Sequence, residues 1–430
     1  MRRIYPVALL LVAVVVILAA VKLDLFSSPR STPEEPLQDG TGPRPGTEPD
    51  IRTATLAAVG GLYPHQAVLN ENHRSDGKYD FWPSFELIAP YFQKVDLAIL
   101  TLETMQAGPE AALWGVSGYT GHTEKGILTF NAPLELSHAL KKAGFNLYSF
   151  ANNHCLDRDL EGLQASLRNV RELGFHTTGA YLSAEEREAV DIIEINGIKV
   201  AFIAYTYGTN CIPLRQGCEY AVNLVPSFEK IDPLLDDIRK ARAAGVDLIA
   251  VMPHWGGQYI DYPFEWQREL ARQMAEAGAD MIIGGHPKFV QPGEWIVLPE
   301  SGGGTRSVPV LYSLGNFYTD QHYPVCSSDL VEYGMLLSLE LTKDMDSGRA
   351  WISALDYDIH WCYRDWGHRL LVLSEVFEKG PERFNLNRSQ LQRLESRYRD
   401  NIEIIERYGF SENKPGAVGE NRRPASSSSD

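Results

Sequence analysis

Residues 135–174 read "ELSHALKKAGFNLYSFANNHCLDRDLEGLQASLRNVRELG", and their rhythm decides the fold. Glu135–Phe145 has helical spacing and closes at Gly144, a residue suited to the left-handed turn after a helix. Phe145–Ala151 reads as a short apolar strand. It runs directly into the polar "NNHCLD" of Asn152–Asp157. Leu160, Leu163, Leu167, Val170 and Leu173 then recur at helical spacing, ending at Gly174. A strand between two helices, apolar along its length and polar where it ends, is the building unit of an α/β fold.

The same rhythm extends in both directions. Strands are expected at "TATLAAVG" (53–60), "VDLAILTLE" (95–103), "IKVAFIAYT" (198–206), "VDLIAVMP" (246–253), "ADMIIGG" (279–285) and "VPVLYSLGN" (308–316). Helices at about 229–243 and 264–277 separate some of them. "GMLLSLEL" (334–341) and "WISALDYDIH" (351–360) predict a terminal antiparallel pair. The long connections 104–134 and 207–228 are expected to form rim loops over a site. There is no internal repeat.

Outside this region the composition changes. Arg2 and Arg3 precede an apolar run over residues 5–21, at the lower limit for a helix that spans a bilayer. The arginines favour a cytoplasmic N-terminus of residues 1–4. A cleaved signal peptide is the competing reading, but "ILAAVKLD" lacks a small-x-small cleavage site and no cysteine is present there for lipid attachment. The expectation is a single-pass anchor with the remaining chain outside the cytoplasm. Residues 22–50, rich in Pro, Gly, Thr and charge from Ser27 onward, read as a disordered tether. Residues 51–412 form the folded domain, and 413–430, ending "ASSSSD", a disordered tail.

The 430 residues suffice for one large domain or two medium ones. With 56 acidic against 40 basic residues the net charge is −16, which excludes a general nucleic-acid binder. Of five cysteines, Cys211 and Cys218 bracket "CIPLRQGC" and are the best candidates for a disulfide. An odd count leaves at least one free or intermolecular thiol, and Cys155 is the candidate.

In open α/β sheets chemistry gathers beyond the carboxyl ends of the strands. Here those ends carry Gly60-Gly61 then His65, Glu103, Asn152-Asn153-His154 with Asp157, His254, His286, and Asn316. Each has an ordinary explanation. A lone strand-end histidine is usually a hydrogen-bonded structural residue, a lone glutamate a solvated rim charge, and an asparagine a turn residue. Their convergence at one end of successive strands favours a site for a borderline divalent metal.

"ALKKAGFNLYSFANNHCLD", "VMPHWGGQY", "GADMIIGGHPKFVQP" and "LYSLGNF", in this order over about residues 53–360, resemble the CapA-type capsule and poly-γ-glutamate biosynthesis proteins of the calcineurin-like metallophosphatase superfamily. "TLET" stands where such proteins usually have Asn-Leu-Glu-Thr. The resemblance implies a four-layer α/β/β/α sandwich preceded by one N-terminal membrane helix. It places the chain in the cell membrane, with its globular domain extracytoplasmic. It implies an anionic envelope polymer, or the membrane synthase subunits that make it, as partner.

Carried over by position, Glu103 matches the acidic residue that would bridge two metals, and Asn153 the amide ligand. His254 matches the histidine before Trp-Gly, and His286 the first histidine of a His-Pro-His motif. His154 matches the histidine that faces substrate, with Asp157 orienting its ring. Asn152 and Asn316 are carried as candidate substrate contacts. Two positions depart from the pattern. Gly61 stands where the first-strand motif has an aspartate ligand, and Lys288 where the second histidine is expected. In the superfamily both lost ligands serve the same metal. The implied site therefore holds one divalent ion (Mn, Fe or Zn) between Glu103, Asn153, His254 and His286, with donors about 2.0–2.2 Å from it. Lys288 would place its ammonium where the other cation would sit. The alternative is a decayed site with Lys288 turned to solvent.

Two functions follow. One is a capsule or polymer biosynthesis component with a site reduced to one metal position. The other is an active mononuclear metallohydrolase or acyl-transfer enzyme acting on an anionic envelope substrate. In the second, His154 would be the general acid and Lys288 would stabilise developing negative charge.

Overall fold

A computed structural model describes residues 49–225, 231–300, 303–323 and 325–411. The compact unit containing the site opens at Pro49. The expected cytoplasmic N-terminus, membrane helix and tail lie outside the described residues, as does nearly all of the tether. No helix among the described residues is long and apolar enough to cross a membrane.

Sixteen strands are present among the described residues. In chain order they are β1 (Ile51–Leu62), β2 (Leu97–Leu102), β3 (Gly121–His122), β4 (Leu128–Thr129), β5 (Leu147–Ser149), β6 (His176–Thr178), β7 (Ile192–Ile195) and β8 (Ile198–Thr206). Then come β9 (Leu248–His254), β10 (Met281–Ile283), β11 (Gly293–Pro299), β12 (Thr305–Leu311), β13 (Asn316–Tyr318), β14 (Tyr333–Asp344), β15 (Arg349–Tyr363) and β16 (Arg369–Val372). One sheet has the order β16-β15-β14-β1-β2-β5-β6, with β13 alongside β1. The second has the order β11-β12-β10-β9-β8-β7, and β3 and β4 form a small separate hairpin.

Alternation along each strand creates the layers. In β1, Ala54, Leu56 and Ala58 face one way and Ala57 and Val59 the other. The first set meets Val200, Phe202 and Ala204 of β8 and Leu248, Ala250 and Met252 of β9 in a core between the sheets. The second set packs against Leu136, Leu140, Leu163 and Leu167, from helices Glu135–Ala143 and Asp159–Glu172. The outer face of the other sheet, Ala201, Ile203, Ile249 and Val251, is covered by helices Asp232–Ala243 and Glu265–Ala277. Helices, sheet, sheet, helices is the expected four-layer order.

Within the opening stretch the helix ends at Ala143 with Gly144 at φ 110°. The following strand is shorter than expected, Leu147–Ser149, because the chain turns early into Asn152–Asp157. The predicted strand 308–316 is divided. Its first part, β12, pairs with β10 and β11; after Gly315, at φ 74°, the chain enters the other sheet as β13 beside β1. The crossing is tight: Gly61 N–H donates to Gly315 O at 3.2 Å, and a Cβ on Gly60 would lie 1.9 Å from that oxygen. Two C-terminal helices, Leu373–Lys379 and Arg388–Glu406, add to the expected elements.

β1, β2, β5 and β6 run parallel, as do β8, β9, β10 and β12. Their carboxyl ends bring the candidate residues together.

Candidate metal centre and cleft

Three predicted donors stand around a fourth, the Nε2 nitrogen of His254. His254 Nε2, at the end of β9, lies 2.8 Å from Asn153 Oδ1, 3.2 Å from His286 Nδ1 and 3.9 Å from Glu103 Oε2. Ligands about 2.1 Å from a tetrahedral centre stand about 3.4 Å apart, near the distance to His286, while Asn153 is closer and Glu103 farther. Burial lowers the pKa of His254 well below 6.5, helped by His286 and Lys288. His286 is lowered for the same reason, helped by Lys288 and His154. Both imidazoles are thus neutral near pH 7 and keep a lone pair to offer. Among the described residues no three His, Cys, Asp and Glu side chains are grouped to hold an ion, and Glu103 Oε2 lies nearer to Lys288 Nζ, at 2.5 Å, than to His254 Nε2, at 3.9 Å. His254 Nδ1 is buried without a hydrogen-bond partner among the described residues. Its ring is instead held by packing, with His286 at 4.8 Å and Tyr207 at 6.4 Å between centroids.

Lys288 is not turned to solvent. Its Nζ lies 2.5 Å from Glu103 Oε2, with side-chain exposures of 3% and 2%. The same ammonium stands 3.9 Å from the centroid of the Tyr63 ring, a cation–π contact that a buried cation gains from. Glu103 has turned towards the space that Gly61 leaves: a Cβ on Gly61 would lie 1.9 Å from Glu103 Oε1. The loop that delivers Lys288 is unusual. His286 has φ 101° and Lys288 φ 71°, flanking Pro287. It is tied by Trp255 N–H to Gly285 O at 3.0 Å and Tyr259 N–H to Pro287 O at 2.8 Å. Left-handed backbone at two non-glycine residues is a strain found at functional sites.

His154 and Asp157 form the second half. His154 Nδ1 is 2.8 Å from Asp157 Oδ2, and that oxygen also accepts the Phe130 N–H at 2.6 Å. Phe130 stands edge-on to the His154 ring, centroids 4.7 Å apart. With Nδ1 engaged, Nε2 is the nitrogen left to act on a ligand. The adjacent cleft, of about 420 Å³, is lined by residues including Tyr63, His65, Phe130, Asn153, His154, Asn210, Tyr259 and Lys288. Both long connections contribute to it, as expected of rim loops. Burial lowers His65 to about 4, so that ring is neutral.

Two site expectations change. Asn152 is fully buried, its Nδ2 donating to Leu102 O at 2.9 Å and its Oδ1 accepting the His154 N–H at 2.9 Å. It shapes the turn that carries His154 and does not present itself to a ligand. Asn316 Oδ1 accepts from the Tyr63 hydroxyl, and its Nδ2 donates to Val331 O at 2.9 Å. It braces the wall of the cleft. The expected Cys211–Cys218 bridge is absent: both thiols, and Cys155, are free. That loop is closed by Arg215, which pairs with Asp159 and Glu161, and Cys211 faces the cleft. Tyr63 and Asn210 went unread in the sequence. Tyr63 follows the Gly-Gly pair by two residues, a usable signal; Asn210 lies in a long loop that carries none.

The family described as "Bacterial capsule synthesis protein PGA_cap" matches residues 55–321. Among curated proteins, the "PGA biosynthesis protein CapA" of Bacillus subtilis is 29% identical over 223 residues, covering 50% of this chain and 52% of that one. The "Capsule biosynthesis protein CapA" of Bacillus anthracis is 30% identical over 209 residues, covering 47% of each. The chain thus spans about half the length of the curated relatives it matches. Among solved structures, a novel phosphatase from Mycoplasma pneumoniae aligns at 12% identity and a TM-score of 0.39, over 75% of this chain and 94% of that one. A putative 5'-nucleotidase from Staphylococcus aureus, in complex with alpha-ketoglutarate, aligns at 15% and 0.38, over 71% and 54%. With the family matched over more than half of its length, the chain belongs to the bacterial capsule synthesis proteins of the PGA_cap family.

Proposed function

We propose that this is a membrane-anchored, extracytoplasmic protein of capsule or poly-γ-glutamate-type polymer biosynthesis, whose metallophosphatase-like site keeps one of two metal positions. The observation that carries the reading is the buried Lys288–Glu103 pair beside Gly61. The Lys288 ammonium sits on Glu103 Oε2, the oxygen that also faces His254, while Oε1 fills the space at Gly61 where an expected ligand is missing. Glu103, Asn153, His254 and His286 would hold one divalent ion, Mn, Fe or Zn. Such an ion supplies Lewis-acid polarisation to an anionic ester or acyl group. The chain's own part is to orient that group and to move a proton at His154 Nε2, with Asp157 holding the ring. The two Bacillus relatives are named for PGA and capsule biosynthesis, and the partner proposed here is an anionic envelope polymer or the synthase subunits that make it. The apolar run 5–21 is the proposed contact with the membrane.

A second reading, an active mononuclear hydrolase or acyl-transfer enzyme, is favoured by His154 lining the cleft with its ring held from behind by the buried Asp157. A screen of the full-length protein against generic phosphodiesters and activated esters separates the two. Metal-dependent turnover lost in His154→Asn selects the enzyme; metal binding without turnover selects the reduced component. Topology is tested by protease treatment of spheroplasts. Cleavage of the domain without lysis is the expected result, and protection until lysis overturns the extracytoplasmic placement.

A further inference from the structure

Asn210 joins the two halves of the site. Asn153 Nδ2 donates to Asn210 Oδ1 at 2.9 Å, and Asn210 Nδ2 lies 3.2 Å from His154 Nδ1. The backbone that delivers it is left-handed at two successive residues, Asn210 at φ 49° and Cys211 at φ 63°. The same loop is fastened further on, where Arg215 pairs with Asp159 at 2.9 Å and with Glu161. Asparagine tolerates this backbone better than most residues, yet a second left-handed residue beside it is a strain the loop accepts in order to place the side chain.

An amide has one end that can bind a cation and one that cannot. Asn153 serves a metal only with Oδ1 towards His254 and His286, the orientation it has, 2.8 Å from His254 Nε2. Rotating the amide by half a turn would aim its NH₂ at the histidines and set its oxygen against Asn210 Oδ1, two acceptors face to face. With Asn210 Oδ1 towards Asn153, that rotation would exchange a hydrogen bond for a contact between two acceptors.

We propose that Asn210 is a positioning residue whose carbonyl oxygen holds the Asn153 amide with its oxygen towards His254 and His286, and so sets the affinity of that site for one divalent cation. The proposal rests on the one-metal reading above. Partners that orient a metal ligand typically change affinity by about 10–100-fold when removed.

The test is calorimetric titration of Mn²⁺ into metal-stripped full-length protein. Asn210→Gly removes the amide while permitting the backbone conformation; Asn210→Asp keeps an oxygen acceptor for Asn153 Nδ2. The glycine variant should bind at least about 10-fold more weakly, and the aspartate variant should stay near wild type. Should the glycine variant fail to fold in a thermal melt, Asn210→Leu, which keeps bulk without an acceptor, takes its place and must show the same loss. Wild-type affinity in the acceptor-less variant, or equal weakening in both variants, overturns the role of Asn210 alone. A wild-type protein that takes up no ion overturns the one-metal reading, and this proposal with it.

Discussion

Lys288 Nζ and Glu103 Oε2 meet at 2.5 Å almost out of reach of water, and the other oxygen of Glu103 fills the space a side chain on Gly61 would need. Three residues that sequence alone treats as separate departures are therefore one arrangement. Glycine at 61 makes room, the carboxylate turns into it, and the ammonium neutralises the carboxylate. A carboxylate without a partner in such a place would be strongly destabilising.

Replacing Lys288 by methionine should consequently destabilise the fold by about 3–5 kcal/mol, the usual result of stripping one partner from a buried pair. Adding Glu103→Gln to Lys288→Met should restore part of that stability, since no buried charge is then left unpaired. Urea unfolding in the presence of chelator measures both. An unchanged midpoint for Lys288→Met would mean that Glu103 has another counter-charge.

Gly61→Asp and Lys288→His should act together. Alone, Gly61→Asp forces a side chain into Glu103, which Lys288 holds in place, and should cost about 1–3 kcal/mol as an overpacked substitution. With Lys288→His the carboxylate is released and both missing ligands are restored. The double variant should then take up a second ion and gain or raise phosphodiesterase activity, more than either single change. Equal metal content in all four proteins would show that these positions do not define a second site.

A pH effect is expected away from the centre. His368 lies between Glu71 Oε2, at 2.5 Å, and Asp320 Oδ1, at 3.0 Å. Burial alone would lower its pKa, but hydrogen bonds to Asp320 and Glu71 raise it above the ordinary 6.5. A raised folded-state value means the stabilisation is fully present below the unfolded value and is lost as pH rises through the folded one. The stability gap between wild type and His368→Asn should therefore narrow as pH rises from about 6 towards 9. A gap that is constant or widens with pH would contradict a charged His368.

Much of this was legible because buried strands announce themselves as apolar runs and because functional residues follow them. Glu103, Asn153, His254 and His286 each end or follow a different strand, and the parallel arrangement brings them together. What could not be read depends on distance across the fold. "VPVLYSLGN" looks like one strand because both of its parts are buried, yet the turn at Gly315 sends them to different sheets. Asn152 and Asn153 are adjacent and chemically identical, and only the turn decides that Asn152 grips Leu102 O while Asn153 faces His254. The rotation of Glu103 into the space at Gly61, and the reach of Asn210 to Asn153, exist only once the loops have closed.

The central claim, one metal position kept and the other replaced by an ammonium, is tested most directly by elemental analysis of the purified wild-type chain after dialysis against a single divalent metal. One ion per chain is the expected count, falling on His254→Ala or His286→Ala. Two tightly held ions per chain would contradict the account, because Lys288 would then stand in for nothing, and a count of zero would mean that the four converging side chains are a hydrogen-bonded remnant.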